Sequence, residues 1–405
     1  MRQTEAYKLI KDNDHVRMPT SPEEAKCAEY LKNACEKLGL SAKIEPFIIP
    51  TFREKAAYLC VDGKEVPCRG RLGSPNASAK GPLYYLQSNS KVALRKCKGC
   101  VVLTERGIGM SFYRKLVDNG AVAIIGISGD NWEASRAIES RPMPFIVEDF
   151  KTIPWVTVHF SSAFSMIKNR AKHAEVRTEQ VPVDGISHNV IADIKGETDE
   201  QIVVCAHYDS TSTSHGSYDN FSGCVALFYI AEQLKHASLR RGIRLLWCGA
   251  EEWGLKGSRA YCEMHKDEKE KTVLNINLDL LGSYLGEFVA FSCADEQTAK
   301  AMDRFATRHR FPLSVRHAIR FSDSNSFVYS GIPAVSFARY APAEEVQTHT
   351  PKDTAEAVSV RQLLIDSKFI CQFTEWVAND DAFYKDLCIS DNIREEVEKY
   401  FYKKP

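Results

Sequence analysis

Three apolar runs in the second half of the chain each stop on polar groups, and this restricts the fold more than any other feature. Ile202-Val203-Val204-Cys205-Ala206 leads into His207-Tyr208-Asp209-Ser210. Ile243 to Cys248 leads into Gly249-Ala250-Glu251-Glu252-Trp253-Gly254, and Val273 to Leu278 leads into Asp279. Runs this short and apolar read as strands buried on both faces. From Asn189 onward they alternate with helical stretches of about 12–16 residues, which predicts a mostly parallel mixed sheet flanked by helices. In such sheets binding groups collect at the carboxyl ends of the strands. His207, Glu251, Glu252 and Asp279 all fall there.

The rest of the composition excludes several classes. The 405 residues are 44% apolar and 26% charged with a formal net charge of zero, the balance of an ordinary globular chain. No long basic tract offers an electrostatic hold on nucleic acid or an anionic membrane. No apolar run approaches the roughly 20 residues that span a bilayer. The stretch Met1-Arg2-Gln3-Thr4-Glu5-Ala6-Tyr7 has no apolar signal-peptide core. Thirteen cysteines, an odd number scattered through strands and helices, predict free thiols and a cytoplasmic protein. Cys97 and Cys100 form a C-x-x-C, but Cys100 opens the run Val101-Val102-Leu103, so the pair reads as strand core.

Along the chain, residues 21–39 have helical periodicity, with Ser21 as N-cap and Pro22 at the first helical position. Residues 42–49 alternate like a strand. From 52 to 182 the character changes to short strands, turns and one helix around 110–119. A long helix carrying Leu363, Ile370, Phe373 and Trp376 approaches the C-terminus, followed by an acidic and then basic helical tail. The expected organisation is a first segment 1–51, an inserted domain 52–182 and a second segment 183–405.

Two more candidates complete the chemical set: Asp219 in Tyr218-Asp219-Asn220-Phe221-Ser222-Gly223, and His349 in Gln347-Thr348-His349-Thr350-Pro351. Imidazole and carboxylate are the ligands that suit zinc where no thiolate is offered. Each has a bland reading when taken alone. An Asp after a strand is usually a helix cap, a Glu-Glu pair is usually a solvated face, Asp353 reads as the cap of a helix starting near Thr354, and His215 reads as a rim residue. The ordered set carries the argument, not its members.

That set resembles the co-catalytic di-zinc aminopeptidases, a metallopeptidase family that also holds glutamate carboxypeptidase-like enzymes. The family's His-x-Asp is similar to His207-Tyr208-Asp209, its Asp-Asn-x-Ser-Gly to Asp219 through Gly223, its Glu-Glu pair to Glu251-Glu252, and its His-Thr-Pro-x-Asp-Thr to His349 through Thr354. Residues 52–182 resemble an inserted, β-rich protease-associated domain, on the run Gly99 to Gly107, a helix, and Gly120-Ala121-Val122-Ala123-Ile124-Ile125. The resemblance implies a zinc-peptidase α/β fold and two Zn²⁺ per chain, with manganese or cobalt able to use the same ligands. It implies His207 and Asp279 at one metal, Glu252 and His349 at the other, and Asp219 bridging both. Glu251 is then the general base, Asp209 the acceptor of the free N–H of His207, the Asp219–Asn220 bond cis, and the insertion a lid or specificity wall.

The implied activity is removal of N-terminal residues from peptide substrates that carry a free α-amine. Alternatives are a carboxypeptidase of the same family, a glutaminyl cyclase-like acyltransferase with one zinc and no inserted domain, and a non-catalytic binding protein on the same scaffold, which would typically have lost ligands. A carboxypeptidase needs a basic pocket, and Arg316, Arg320 and Arg339 leave that open. The chain departs from the pattern at Thr348, where many relatives carry an oxyanion-holding Tyr and Tyr340 is the nearest substitute. It departs again at Ser322-Asp323-Ser324-Asn325-Ser326-Phe327, where the family has Ser-Asp-His-x-x-Phe.

Overall fold

Alternation along single strands decides how the sheet is covered. The computed structural model describes residues 1–104, 108–129, 136–143, 152–342, 345–346 and 348–401. Two compact units emerge, Met1–Phe47 with Ile186–Pro405, and Ile48–Gly185. The strands of the first unit are β1 (His173–Ile194, by its second half), β2 (Gln201–His207), β3 (Gly242–Cys248), β4 (Thr272–Leu278), β5 (Glu287–Cys293), β6 (Ser314–His317) and β7 (Ala334–Tyr340). They lie in the order β6-β5-β7-β4-β2-β3-β1. The central strands β7, β4, β2 and β3 are parallel, and β5 and β1 run antiparallel to β7 and β3. This is the mixed, mostly parallel sheet that the strand–helix alternation predicts.

The pleat sends Ile202, Val204, Ala206, Ile243, Leu245, Trp247, Leu274, Ile276 and Leu278 to one face. There they meet Cys27 and Leu31 of α2 (Pro22–Lys37), Val225 and Phe228 of α3 (Ser222–Leu234), and Phe369 and Phe373 of α7 (Val360–Asn379). Ser21 caps α2 through the Glu24 N–H at 3.1 Å, as its sequence indicates. The opposite face carries Val203, Cys205, Leu246 and Cys248 under Tyr261 of α4 (Lys256–Met264) and Phe327 of α6 (Ser324–Tyr329). On β4 that face presents Asn275 and Asn277 instead. Both are buried: the Asn275 amide donates to the Val203 carbonyl, leaving its own oxygen without a partner, and the Asn277 amide donates to the hydroxyls of Ser322 and Ser336. Two asparagines in an apolar strand are tolerated because each amide nitrogen finds acceptors.

The helix α1 (Gln3–Asp12) leaves no apolar stripe in the sequence, since only Ala6 and Ile10 are buried. Further helices of this unit are α5 (Glu296–Arg308), with Met302 and Phe305 in the larger core, and α8 (Asp391–Tyr400), whose Ile393 and Val397 pack on Val289 and Phe291 of β5.

In the second unit, strands Ala77–Tyr85, Val101–Thr104, Ala123–Ser128 and Trp155–His159 are successive parallel neighbours around Val101, Leu103, Ile125, Val156 and Val158. The Arg106-Gly107 end of the motif noted above lies outside the described residues. Cys97 is buried beside Leu94, Val102 and Tyr113, with Cys100 packed against that cluster. All thirteen cysteines are free. Among the described residues no helix is long and apolar enough to cross a membrane.

One ion pair in the first unit makes stability depend on pH. Glu45 lies 3.0 Å from His265 Nε2 and 2.6 Å from Lys43 Nζ. Burial pushes its carboxyl up, but His265 and then Lys43 outweigh this and hold it down at about 2. A carboxylate depressed by folding stabilises fully above its unfolded pKa of about 4.3 and stops doing so as pH falls through the folded value. Lys43 is half exposed, so its share is screened. Glu45→Gln should therefore cost about 1–2 kcal/mol at pH 7, a deficit that shrinks below about pH 4.3 and vanishes near pH 2. Denaturant unfolding of both proteins across this range checks it.

Candidate metal centre

Level strand ends bring the site together. In the β2–β3 register His207 lies opposite Cys248, and Val204 lies opposite both Leu245 and Ile276. His207 therefore ends β2 close to where β3 delivers Glu251 and Glu252 and β4 delivers Asp279. Asp219 comes from the turn Ser217–Phe221 ahead of α3, and His349 from the segment between β7 and α7. The Asp219–Asn220 peptide bond is cis. Ala250 before Glu251, Leu280 after Asp279, and His349 itself adopt left-handed φ values of 52°, 56° and 63°. Such conformations are costly for non-glycine residues and concentrate where surrounding contacts over-determine the backbone.

Asp219 sits in the middle. Its Oδ1 is 3.2 Å from His207 Nε2, which is 3.7 Å from Asp279 Oδ1. Its Oδ2 is 3.2 Å from His349 Nε2, which is 3.2 Å from Glu252 Oε1. Two clusters result, His207–Asp219–Asp279 and Asp219–Glu252–His349, each with donor atoms within 4.8 Å of one another. They share Asp219 through different oxygens.

The groups behind these donors are themselves fixed. Asp353 accepts the Tyr218 and Asp219 backbone N–H groups at 2.6 and 3.0 Å. It is thus not the helix cap expected from the sequence: Thr354 occupies the N-cap position of Ala355–Ala357, and the buried Asp353 carboxylate turns back to the Asp219 segment. Asp209 lies 3.5 Å from His207 Nδ1. Its stronger contacts are the Glu251 and Glu252 N–H groups, at 2.9 and 3.0 Å. It holds the turn that presents both glutamates as well as facing the histidine. Asn220 donates to the Leu278 carbonyl and accepts from Gly223 and Leu280. At Gly223 a Cβ would come within 2.6 Å of the Asn220 side chain and 2.8 Å of the Leu278 carbonyl, so no side chain fits.

Arg17, fully buried, had no marker in the sequence. It donates to the backbone carbonyls of Tyr208, His215 and Gly216, joining the segments that follow His207 and precede Asp219. His215 hydrogen-bonds Asp14 and joins neither cluster, in keeping with a rim position. Of the three arginines weighed above, Arg339 forms a bidentate pair with Asp366, Arg316 faces Glu287, and Arg320 lies against Asp279. Tyr340 stacks under Arg320 at 4.8 Å.

The electrostatics of the site call for cations. Asp219, Asp279, Glu251 and Glu252 converge on two imidazoles. Burial works against charge on both histidines, yet the surrounding carboxylates, Glu251 foremost at His207 and Glu252 at His349, push their pKa well above the ordinary value. Burial likewise pushes Glu251 well above the carboxylate range; His207 opposes this, and Glu252, Asp323 and Asp279 add to it. Asp279 Oδ1 is buried and has no hydrogen-bond partner. An unpaired Asp279 oxygen and proton-hungry imidazoles in one place are what two divalent cations satisfy, and they would draw the carboxylates back to the ionised form. The donor set fits a di-zinc site.

Comparisons with known proteins agree with this geometry. Residues 189–373 match Peptidase family M28. The chain is similar to the aminopeptidase YwaD of Bacillus subtilis, with 27% identity over 86% of this chain and 78% of that protein. It is also similar to the probable lipoprotein aminopeptidase LpqL of Mycobacterium tuberculosis, at 28% over 67% of this chain but 56% of that one. Among solved structures, the zinc aminopeptidase BSAP from Bacillus subtilis superposes with a TM-score of 0.79 at 24% identity, covering 97% of this chain and 98% of that one. The fold is that of the M28-family aminopeptidases. The match to the family lies outside 52–182, and no separate protease-associated module is identified there.

The cytoplasmic expectation does not hold. A relative is a probable lipoprotein, and free thiols have a simpler cause than a reducing compartment. Cys27, Cys35, Cys205, Cys224, Cys248 and Cys293 are buried as small apolar core residues, so their unpaired state follows from packing and says nothing about location.

Because Asp353 fixes the backbone of Asp219, the residue common to both candidate clusters, its loss should reach both metals. Asp353→Asn retains one acceptor and turns an amide donor towards an N–H. Chelator competition should show both zinc affinities falling by about 10–100-fold, with far-UV circular dichroism unchanged.

Proposed function

We propose that this chain is a zinc-dependent exopeptidase that removes N-terminal residues from peptides. The observation that carries this reading is Asp219 shared between two carboxylate–imidazole clusters, with Glu251 beside Glu252 but in neither cluster. Two zinc ions, when bound, would supply an acidified water and an electrophilic contact for the scissile carbonyl. The protein supplies the rest. His207, Asp219 and Asp279 would hold one ion, and Asp219, Glu252 and His349 the other. A Glu251 carboxylate oxygen takes the proton from the attacking water and passes it to the leaving amine. Asp209 fixes Glu251 and Glu252 through their backbone N–H groups, so base and ligand stay in register.

Substrate polarity is inferred from the aminopeptidase relatives and from the arginines of the site. With two ions bound the four carboxylates would be largely neutralised, so a cationic α-amine would be met by an individual carboxylate oxygen rather than by net charge. The arginines that a carboxypeptidase would use for a substrate carboxylate are engaged: Arg339 by Asp366, Arg320 by Asp279, Arg316 by Glu287. A one-zinc cyclase does not account for two clusters, nor does a non-catalytic scaffold account for a full donor set with Glu251 retained. The family resemblance of residues 52–182 to a protease-associated module rests on their sequence pattern and on the parallel order of their strands.

Two measurements test the reading. Glu251→Gln should lower kcat by about 10²–10⁴-fold while elemental analysis still finds two metals; loss of metal instead would exchange the roles of Glu251 and Glu252. One peptide in free, acetylated and amidated forms separates the polarities. Acetylation should cut kcat/KM by about 10²-fold or more and amidation should leave it unchanged, whereas a carboxypeptidase gives the reverse.

A further inference from the structure

Among the described residues, the one guanidinium set against a metal-site carboxylate is that of Arg320, and nothing in the reading above gives it a task. Its side chain is 9% exposed, and its Nη2 lies 3.1 Å from Asp279 Oδ2. Ser322, two residues on, donates its hydroxyl to the same oxygen at 2.8 Å. The turn is closed by the Ser322 N–H on the Arg320 carbonyl at 3.0 Å, so both donors come from one rigid piece of backbone. Below, the ring of Tyr340 lies 4.8 Å from the guanidinium carbon. Oδ2 of Asp279 is thus occupied from the protein side, while Oδ1, buried and without a partner, faces His207 Nε2 at 3.7 Å.

We infer that Arg320 is a positioning residue that, with Ser322, locks Asp279 as a one-oxygen ligand and thereby sets the affinity of the His207–Asp279 metal position alone. The inference rests on the two clusters being metal sites. A carboxylate free to turn could offer either oxygen, or both, to a cation. Two donors on Oδ2, one of them charged, remove that freedom and leave Oδ1 as the only donor atom. The other position has no such dependence, because its ligands Glu252 and His349 reach it from β3 and from the segment before α7. A lone buried arginine beside a ligand, inside an otherwise acidic site, is then explained by what it does to one ligand rather than by contact with substrate. The same arrangement explains why the family's histidine in this stretch can be Ser324 here without emptying the turn of function: Arg320 and Ser322 act through Asp279.

The test is metal binding rather than turnover. The full chain is stripped and titrated with Zn²⁺ against a chromophoric chelator, as wild type, Arg320→Met, Arg320→Lys and Ser322→Ala. Two tight zinc ions are expected for wild type; fewer would overturn the two-metal reading itself. In Arg320→Met one of the two affinities should fall by about 10–100-fold while the other stays within about twofold. Arg320→Lys, keeping charge without the fork, and Ser322→Ala, keeping the arginine, should weaken that same single position by less. Adding Arg320→Met to a His349→Ala chain should remove the remaining tight zinc, and adding it to a His207→Ala chain should change nothing. Equal weakening of both positions, or two unchanged affinities in both Arg320→Met and Ser322→Ala, overturns the proposal.

Discussion

Repulsion among carboxylates is the constraint that the rest of the peptidase unit answers. Asp219, Asp279, Glu251 and Glu252 meet at one sheet edge, and like charges that close together cannot all be ionised without compensation. The protein meets part of the demand with two imidazoles and Arg320 and leaves the rest to bound cations. Hence the site is specified by its holders as much as by its ligands. Asp353 and Asp209 spend no charge on metal; each uses both oxygens on backbone N–H groups, fixing the segments of Asp219 and of Glu251–Glu252. A carboxylate satisfied by two amide dipoles is the stiffest way to pin a turn in a buried place.

The parallel sheet makes this possible with little additional structure. Three adjacent strands end level, so side chains at their ends or up to four residues beyond converge without long loops. The costs appear in the backbone instead, as left-handed Ala250, Leu280 and His349. Each lies within one residue of a candidate ligand or base, or is one. The large apolar core under β2, β3 and β4 and the helices across it hold these conformations, which a small or loosely packed domain would relax.

Much of this was legible in the sequence because it depended on short-range pattern. Apolar runs ending in His207, Glu251 and Asp279 gave both the strands and the sheet edge, and the five donors of the two clusters are those the family pattern singles out. What stayed hidden depended on contacts between residues far apart in the chain. Asp353 has the local look of a helix cap, and only the fold shows it holding residues about 135 positions away. Arg17 sits in no motif, and its partners Tyr208 and Gly216 lie roughly 190 to 200 positions on. Helix α1 buries too few residues to leave a stripe. Location failed for a different reason: a buried thiol reports its packing, and packing is the same in every compartment.

The departures from the family pattern carry their own lesson about where specificity of structure resides. Ser322 and Asp323 keep the family residues, whereas Ser324 replaces the histidine, yet Asp279 is held from the same turn through Ser322 and Arg320. The orientation of Asp279 is thus fixed with a serine at position 324, by donors that come from Arg320 and Ser322. Asp209 makes the same point from the other side, since its backbone contacts with the Glu251–Glu252 turn are shorter than its approach to His207. At both positions a carboxylate's rotation is limited by donors on its oxygens, a hydroxyl and a guanidinium at Asp279 and two backbone N–H groups at Asp209.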